Sequence, residues 1–371
     1  MSNARTRRKV KRAHRNTERT KRRDQPLAEA TSLADFVRLS LTHERPVDFL
    51  NLVSLMIQTM TPDRYTWLRP DSPAPANLPN FVDNCIAARD PERTALLAVL
   101  AEMLEDEALR ELCRREVARR DEILPRWLQC LTDVKAYRAV RMTHVLGDRD
   151  ELLIGMRLGE FDLTCAVNID HYSLFEITDA VVLPDALDVV LADAEQEFID
   201  GDLRPMDLSL ADARAWIAHG VESSEGLRIQ ERANWPRCRP LVRWLIGYLP
   251  EGGKGYREPV WDPQRSAAVF ADFFASPAGV PFDHRDTREL LSALCEDTGN
   301  GDPLQWSALR VAQVADWTPH GYDFPVGTVL ELPDLLKAYV PFAHARGGIR
   351  DGLTADALAA VGRIQGRLAK C

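Results

Sequence analysis

The sequence lacks any apolar run near the roughly 18 residues that a membrane-spanning helix needs. Its N-terminus also lacks the apolar core of a secretory signal. A mitochondrial transit peptide is Arg-rich too, but it needs an apolar face, and the first 25 residues offer only Ala4, Val10 and Ala13 for one. These absences favour a cytoplasmic protein that has no membrane partner.

Cysteine and histidine are sparse and scattered. The seven cysteines include no C-x-x-C pair, and no two of the eight histidines lie three or four residues apart. The sequence therefore predicts reduced, mostly buried thiols, no metal site and no cofactor. An enzyme whose site is assembled from distant residues stays open as an alternative. Its candidate members are carboxylates together with His144, His171, His284 and His320.

Three histidines have a structural interpretation from their position. His144 lies on the apolar face of a predicted strand, where a hydrogen-bonded core histidine is expected. His219 and His344 precede glycines in predicted last helical turns, where an imidazolium would interact favourably with the helix dipole.

Length, composition and charge indicate a globular chain with a basic tail. The 371 residues, 45% of them hydrophobic, suggest two or three domains. Seven Lys against 40 Arg is typical of a GC-rich bacterial genome. Eleven of the first 25 residues are Arg or Lys, and only Glu18 and Asp24 oppose them, so this arm carries +9. The rest of the chain has 36 basic and 54 acidic residues and carries −18, which gives the net charge of −9.

The region after Pro26 has the 3.6-residue period of helices. Ser32 and Asp35 have capping-box spacing, and Pro46 is placed for the first turn of the next helix. The proline-rich stretch at 69–79 predicts an exposed connection, and further helices follow it. We therefore expect an all-helical domain at 28–134.

The period changes from 3.6 to 2 over 136–183, which predicts strands with one buried face. Gly159 and Glu160 fit a two-residue hairpin turn with Gly first. Together the segments predict a four-stranded antiparallel meander whose apolar side is covered by helices. The expected fold class is α+β, predominantly helical, with this small sheet between helical regions and a disordered basic N-terminal arm.

Helices are predicted again after the sheet. Ser209 and Asp212 have capping spacing, and His219 with Gly220 predicts the end of that helix. Later helix starts are expected at Asp286, Asp302 and Thr354. The predicted organisation is a basic arm at 1–27, a helical domain at 28–134, a sheet with covering helices at 135–250, a Gly- and Pro-rich linker at 251–262 and a helical region at 263–371.

Three motifs resemble functional signatures, but turns, caps or solvated surface explain each one. Residues 247–256 approach a phosphate loop, with the spacing off by one and Gly255 in place of the hydroxyl residue. His284-Arg285-Asp286 matches a kinase catalytic loop, but Leu291 stands where a metal-binding Asn is needed, and Asp286 is expected to be an N-cap. An acidic cluster lacks the spacing of a calcium loop. Its members are Glu195, Glu197, Asp200, Asp202 and Asp207.

The arm has no Gly or Pro between Ala4 and Gln25, and Arg and Lys favour helix. Like charges recur four residues apart, as at Arg5 and Lys9, and each such pair costs about 0.2–0.5 kcal/mol. Alone in solution the arm should be largely disordered. A polyanion would remove the repulsion and let it fold.

Nucleic acid is the commonest polyanion in a cytoplasm, and counterion release would supply affinity. The arm has no aromatic side chain for base stacking, so we expect contact with RNA or DNA phosphates without sequence specificity. We expect the acidic helical body to engage a protein partner. The sequence therefore predicts a binding or adaptor protein without enzymatic activity. The candidate nucleic-acid-binding residues are Arg5, Arg7, Arg8, Lys9, Lys11, Arg12, Arg15, Arg19, Lys21, Arg22 and Arg23.

The same arm allows other interpretations. The protein can be a protein-interaction scaffold that has no nucleic-acid role. In one form of this alternative, the arm folds back on the acidic body. It can also be a solubilising tail only. Its composition resembles that of Arg-rich tails in ribosome-associated and other RNA-binding proteins, without indicating a family.

Overall fold

The computed structural model describes residues 33–61, 77–171, 176–197, 201–223, 234–256, 263–314, 317 and 324–368. Within these ranges the chain forms fourteen α-helices and five β-strands. The helices before the sheet are α1 Leu33–Thr42, α2 Pro46–Met60, α3 Leu78–Ala87, α4 Pro91–Met103, α5 Glu107–Val117 and α6 Arg126–Gln129. The strands are β1 Val134–His144, β2 Arg149–Leu158, β3 Phe161–Asp170, β4 Glu176–Leu183 and β5 Leu203–Leu208. The later helices are α7 Leu187–Glu197, α8 Leu210–Ser223, α9 Trp235–Ile246, α10 Pro263–Ala275, α11 Arg285–Asp297, α12 Ala308–Val314, α13 Val326–Gly347 and α14 Asp351–Leu368.

The first helices begin where the local sequence supplies a proline or a cap. Helix α2 starts at Pro46, as predicted. Asp90 caps α4 by accepting a 2.8 Å hydrogen bond from the Arg93 backbone N–H. The prediction of a connection through Pro79 is wrong at its end, because α3 already begins at Leu78. Proline is compatible with the first turn of a helix, since the N–H that it lacks has no partner there.

The sheet is antiparallel with the order β4-β3-β2-β1-β5. The predicted meander is therefore confirmed for β1 to β4. The β2–β3 hairpin also forms as expected, because Leu158 pairs with Phe161 and Gly159 between them has φ +59°. Glycine takes this left-handed conformation without the steric cost that a side chain would add.

The sheet has five strands and not the predicted four. Strand β5 pairs with the outer side of β1, from Ala139 opposite Leu208 to His144 opposite Leu203. This strand has no alternating pattern of apolar residues, because its central side chains are exposed and it contains Pro205. Proline is tolerated at a sheet edge, where its missing N–H faces outward.

The two faces of the sheet are covered by different helices. One face joins the helices α1 to α6, α8 and α9 in a single apolar core that runs from Val37 to Leu249. The other face carries a smaller cluster under α7, which includes Val140, Leu153 and Leu187. The broad prediction of a mostly helical α+β protein is confirmed.

Helices α10 to α14 form a second apolar core, from Phe270 to Ile364. Its polar centre is Arg310, whose side chain is completely buried. The guanidinium donates to the carbonyls of Cys295, Asp302 and Gln305 at 3.0, 2.5 and 2.8 Å and lies over the Trp306 ring at 4.2 Å. Arg310 thereby holds the loop between α11 and α12 in place. It also supplies donors to carbonyl groups that would otherwise be buried without a hydrogen bond.

Several predicted helix ends are displaced in this part of the chain. Helix α8 continues through Gly220 to Ser223. His284 and not Asp286 is the N-cap of α11, and α12 begins at Ala308 and not near Asp302. Thr354 is not a helix start, because α14 already begins at Asp351, and its hydroxyl lies 2.8 Å from the His344 imidazole. Asp302 accepts a 2.8 Å hydrogen bond from the Leu304 N–H, so it orders the loop before α12 and does not start the helix.

Candidate functional site

The eleven basic residues of the arm, from Arg5 to Arg23, lie outside the described residues. The same holds for His320. Among the described residues, one group of ionisable side chains lies at one end of the sheet, where β1 turns into β2 and β3 ends. We call it the histidine corner, and its residues are Arg141, His144, Asp148, Asp150 and His171.

A fully buried carboxylate is at the centre of this corner. Asp150 Oδ2 accepts a 2.8 Å hydrogen bond from Arg141 Nε and lies 2.8 Å from His171 Nε2. The Asp150 side chain is 0% exposed and that of His171 is 5% exposed. Because the carboxylate is ionised beside the guanidinium, the imidazole Nε2 carries the proton and donates to it.

Two aromatic side chains, Tyr256 and Trp216, pack against His171 and Arg141 of this network. The His171 ring stacks on Tyr256 with centroids 4.9 Å apart, and Tyr256 meets the edge of Trp216 at 5.0 Å. The Arg141 guanidinium lies over the Trp216 ring at 4.7 Å. Trp216 is on α8, whereas Tyr256 follows α9, so two separate segments hold the strand residues in place.

The electrostatics of Asp150 follow from these neighbours. Burial raises the pKa of its carboxyl, but hydrogen bonds and charge from His171 and Arg141 outweigh burial, so the pKa lies below its usual value. Its other oxygen, Oδ1, is buried without a hydrogen-bond partner among the described residues. The same is true of the Thr143 hydroxyl, which is opposite Asp150 in the β1–β2 register. These two neighbouring oxygens can accept a hydrogen bond from a ligand or a water.

A second histidine–carboxylate pair lies at the β1–β2 turn. His144 Nδ1 is 3.2 Å from Asp148 Oδ1 and 3.3 Å from the backbone N–H of Leu146. When protonated, Nδ1 donates to Asp148, and when unprotonated it accepts from Leu146. Burial raises the pKa of the Asp148 carboxyl, but His144 and Arg149 together lower it by more than burial raises it. The pKa of Asp148 therefore also lies below its usual value.

His144 and Asp150 belong to opposite faces of the sheet. His144 follows Val140 and Met142, which pack in the cluster under α7, whereas Asp150 precedes Leu152 on the face of the main core. The corner therefore gathers two of the candidate histidines with carboxylates at one end of the sheet, on its two faces.

Two other candidate or predicted histidines lie elsewhere. His284 Nε2 is 3.2 Å from Glu331 near the surface of the second core. His344 is buried between the Trp306 carbonyl at 3.1 Å and the Thr354 hydroxyl at 2.8 Å. Burial lowers the pKa of His344 to about 4, so it is neutral at pH 7. The expectation of an imidazolium at this helix end is therefore wrong, because burial outweighs the helix dipole.

The described residues include no group of three or more His, Cys, Asp or Glu side chains that could hold a metal ion. In the acidic cluster, Asp202 binds Arg350, and Asp207 accepts hydrogen bonds from Arg138 at 3.2 and 3.0 Å. Asp150 is also a poor metal ligand, because the Arg141 guanidinium is hydrogen-bonded to it and would repel a cation.

The stretch that approaches a phosphate loop instead positions Tyr256. The Lys254 backbone N–H donates to Asp212 Oδ1 at 2.5 Å, so it is committed to a carboxylate of α8. A Cβ added to Gly253 would overlap the Ala211 carbonyl, which shows how closely the two segments pack. Residues 251–256 are therefore fixed on α8, and they carry Tyr256 to His171.

Sequence reasoning missed Arg141, Asp150, Trp216 and Tyr256. A signal for Asp150 was present, because it continues the inward-facing positions of β2, which Leu152 and its alternate neighbours occupy. A charged residue in such a position needs a partner. The partners come from β1, α8 and the segment after α9, and one sequence does not show which of them meet.

Comparison with protein families, curated proteins and solved structures finds no match to the chain.

Proposed function

We propose that the protein is a binding or adaptor protein, whose N-terminal arm contacts RNA or DNA phosphates without sequence specificity and whose acidic helical body engages a protein partner. The observation that carries this proposal is the separation of charge along the chain, with +9 in residues 1–25 and −18 in the remainder. A dense cationic segment of this kind gains affinity for a polyanion by releasing its counterions.

The described body supports the division of roles. Its buried arginines are occupied by internal partners, as Arg310 is by loop carbonyls and Arg120 is by Glu116 at 2.9 Å. Such guanidinium groups are fixed in the fold and do not add to a phosphate-binding surface. The cationic side chains of the arm are the obvious source of sequence-independent affinity.

The test is binding of the full chain to fluorescent RNA and DNA at two salt concentrations, measured by anisotropy. A form without residues 1–25 should lose this binding. If all eleven cations contact phosphates, the slope of log K against log salt should approach about −10 for duplex DNA and about −8 for single strands. Replacing Arg8 by Gln should reduce the magnitude of the slope by about one and weaken all sequences alike.

A length-matched control separates charge from the mere presence of the arm. In this control all eleven Arg and Lys residues of the arm are replaced by Gln. It should bind as weakly as the truncated form. Equal binding by all forms, or none at low salt by the full chain, would refute the nucleic-acid role. Nuclease-resistant cross-linking of the arm to its own body would then favour the protein-interaction alternative.

A second candidate is acid–base chemistry at the histidine corner. The observation that favours it is the 2.8 Å contact between Asp150 and His171, in which a buried carboxylate orients an imidazole. The test is a panel of chromogenic esters, phosphoesters and glycosides, with the wild type compared with His171→Gln. Turnover that the variant loses, while it keeps its fold by circular dichroism, would support this candidate. Absence of turnover by the wild type across the panel would count against it.

A further inference from the structure

The two apolar cores are connected by a short tether. Residues 251–256 are bound to α8 through Asp212 and belong to the first core, and the second core begins with α10 at Pro263. Seven Cα–Cα steps separate Tyr256 from Pro263, and they span at most about 25 Å. The position of the second core therefore depends on its non-covalent contacts with the first.

One contact is at the β1–β2 turn. Gly147 has φ +63°, and a Cβ added there would overlap the side-chain amides of Asn300 and Gln305. Those two amides are joined by a 2.7 Å hydrogen bond from Asn300 Nδ2 to Gln305 Oε1. A side chain at position 147 would force these two amide groups to move and would disturb the hydrogen bond between them.

A second contact lies close to the first. The Arg350 guanidinium, just before α14, forms a two-point ion pair with Asp202, with Nε 2.6 Å from Oδ1. The Asp202 carbonyl in turn accepts a 2.8 Å hydrogen bond from the Val145 N–H, so this residue is joined to the same turn. Both contacts thus meet one corner of the sheet, and we call them together the seam.

The second core presents a rigid surface at the seam. Arg310 donates to the carbonyls of Asp302 and Gln305, and the Asn300 side chain accepts a 3.0 Å hydrogen bond from the Asp302 N–H. The loop is therefore ordered from within its own core and does not need the sheet for its shape. Contacts that are polar, local and formed by surfaces that are each ordered beforehand are suited to reversible docking.

We propose that the second core is a docked module that opens and closes on the β1–β2 turn, held closed by the Gly147 contact and the Asp202–Arg350 pair. Because this turn joins His144 to Asp148, opening changes the solvent access of the histidine corner on that side. The position of the helical C-terminal region thereby controls how exposed this end of the sheet is to solvent.

The test is hydrogen exchange of the full chain, read at 145–148 and 299–305, together with the radius of gyration by small-angle scattering. Arg350→Asp should raise exchange at both segments at least tenfold and enlarge the radius of gyration by a few ångström, while the amides of both cores keep their protection. The charge swap Asp202→Arg with Arg350→Asp should restore closure.

Two matched variants control for general damage. Arg346→Asp removes an ion pair with Asp272 between helices α13 and α10 of the second core, and the Arg346 side chain is 46% exposed where that of Arg350 is 40% exposed. Gly159→Ala has nearly the same backbone cost as Gly147→Ala, since its φ is +59°, but an added Cβ there meets only Cys130, at 3.3 Å from its sulfur. Gly147→Ala should open the seam, whereas the two control variants should leave it closed. If Arg350→Asp and Gly147→Ala exchange no faster at the seam than their controls, or if the charge swap fails to restore closure, the proposal is wrong.

Discussion

Replacing Asp150 by Asn tests whether the histidine corner stabilises the first core. The amide keeps the shape of the carboxylate but removes its charge from Arg141 and His171. Breaking a fully buried ion pair costs about 3–5 kcal/mol. The Arg141 side chain is 26% exposed, so water can solvate part of the stranded charge, and we expect a loss of about 2–3 kcal/mol. For a core of this size the midpoint of thermal unfolding should fall by about 4–12 °C.

The loss of stability in Asp150→Asn should depend on pH in one direction. The pKa of Asp150 is lower in the folded chain than its ordinary value of 3.8, so the carboxylate stabilises the fold above that value. The stabilisation is lost as the pH falls through the folded pKa. The difference between the wild type and Asp150→Asn should therefore be complete at pH 7 and shrink below about pH 4.

The assay is urea unfolding followed by tryptophan fluorescence, since Trp216 lies directly against Arg141. Asp162→Asn is the matched control, because Asp162 accepts from Arg157 across the same sheet but the pair is exposed. It should cost less than about 1 kcal/mol. If Asp150→Asn costs no more than this control, or if the difference grows on acidification, the corner does not have the structural role argued for it.

Two further predictions concern the second core and the thiols. Arg310→Lys should destabilise the second core by about 3 kcal/mol, because one ammonium cannot reproduce the guanidinium donations to three carbonyls. The measurement is hydrogen exchange of the α11 to α14 amides. An opening free energy within about 0.5 kcal/mol of the wild-type value would contradict this prediction. In the native chain Cys130, which is partly exposed, should react rapidly with an aromatic disulfide reagent at pH 8, whereas burial raises the pKa of Cys165 to about 12 and should protect it. Cys130→Ser should remove one rapid equivalent, and an unchanged count would refute this assignment.

The sequence predicted the elements whose signal is local. Strands β2 and β3 have inward-facing apolar residues at every second position, and the β2–β3 turn needed the glycine that Gly159 provides. Strand β5 was missed because an exposed edge strand buries too little to show alternation. Its pairing is set by the backbone of β1, which leaves no pattern in the side chains of β5.

The candidate site was less predictable than the fold, for a related reason. His144 and His171 were named as candidates, but their carboxylate partners come from the β1–β2 turn and from β2. Those contacts depend on strand register, and a shift of one residue would move Asp150 to the other face. The domain boundaries at 134 and 250, and the role of the arm, stay predictions.

The arginines of this chain divide into two physical classes, which bears on what its composition means. Arg120 and Arg310 are buried and donate to carbonyls or carboxylates within their own core, so the several N–H groups of each guanidinium are occupied by internal partners. The arm instead concentrates cations in 25 residues that hold two acids. A high Arg content is therefore a poor indicator of polyanion binding by itself. The local excess of basic over acidic residues is the informative quantity, and in this sequence it is greatest at the N-terminus.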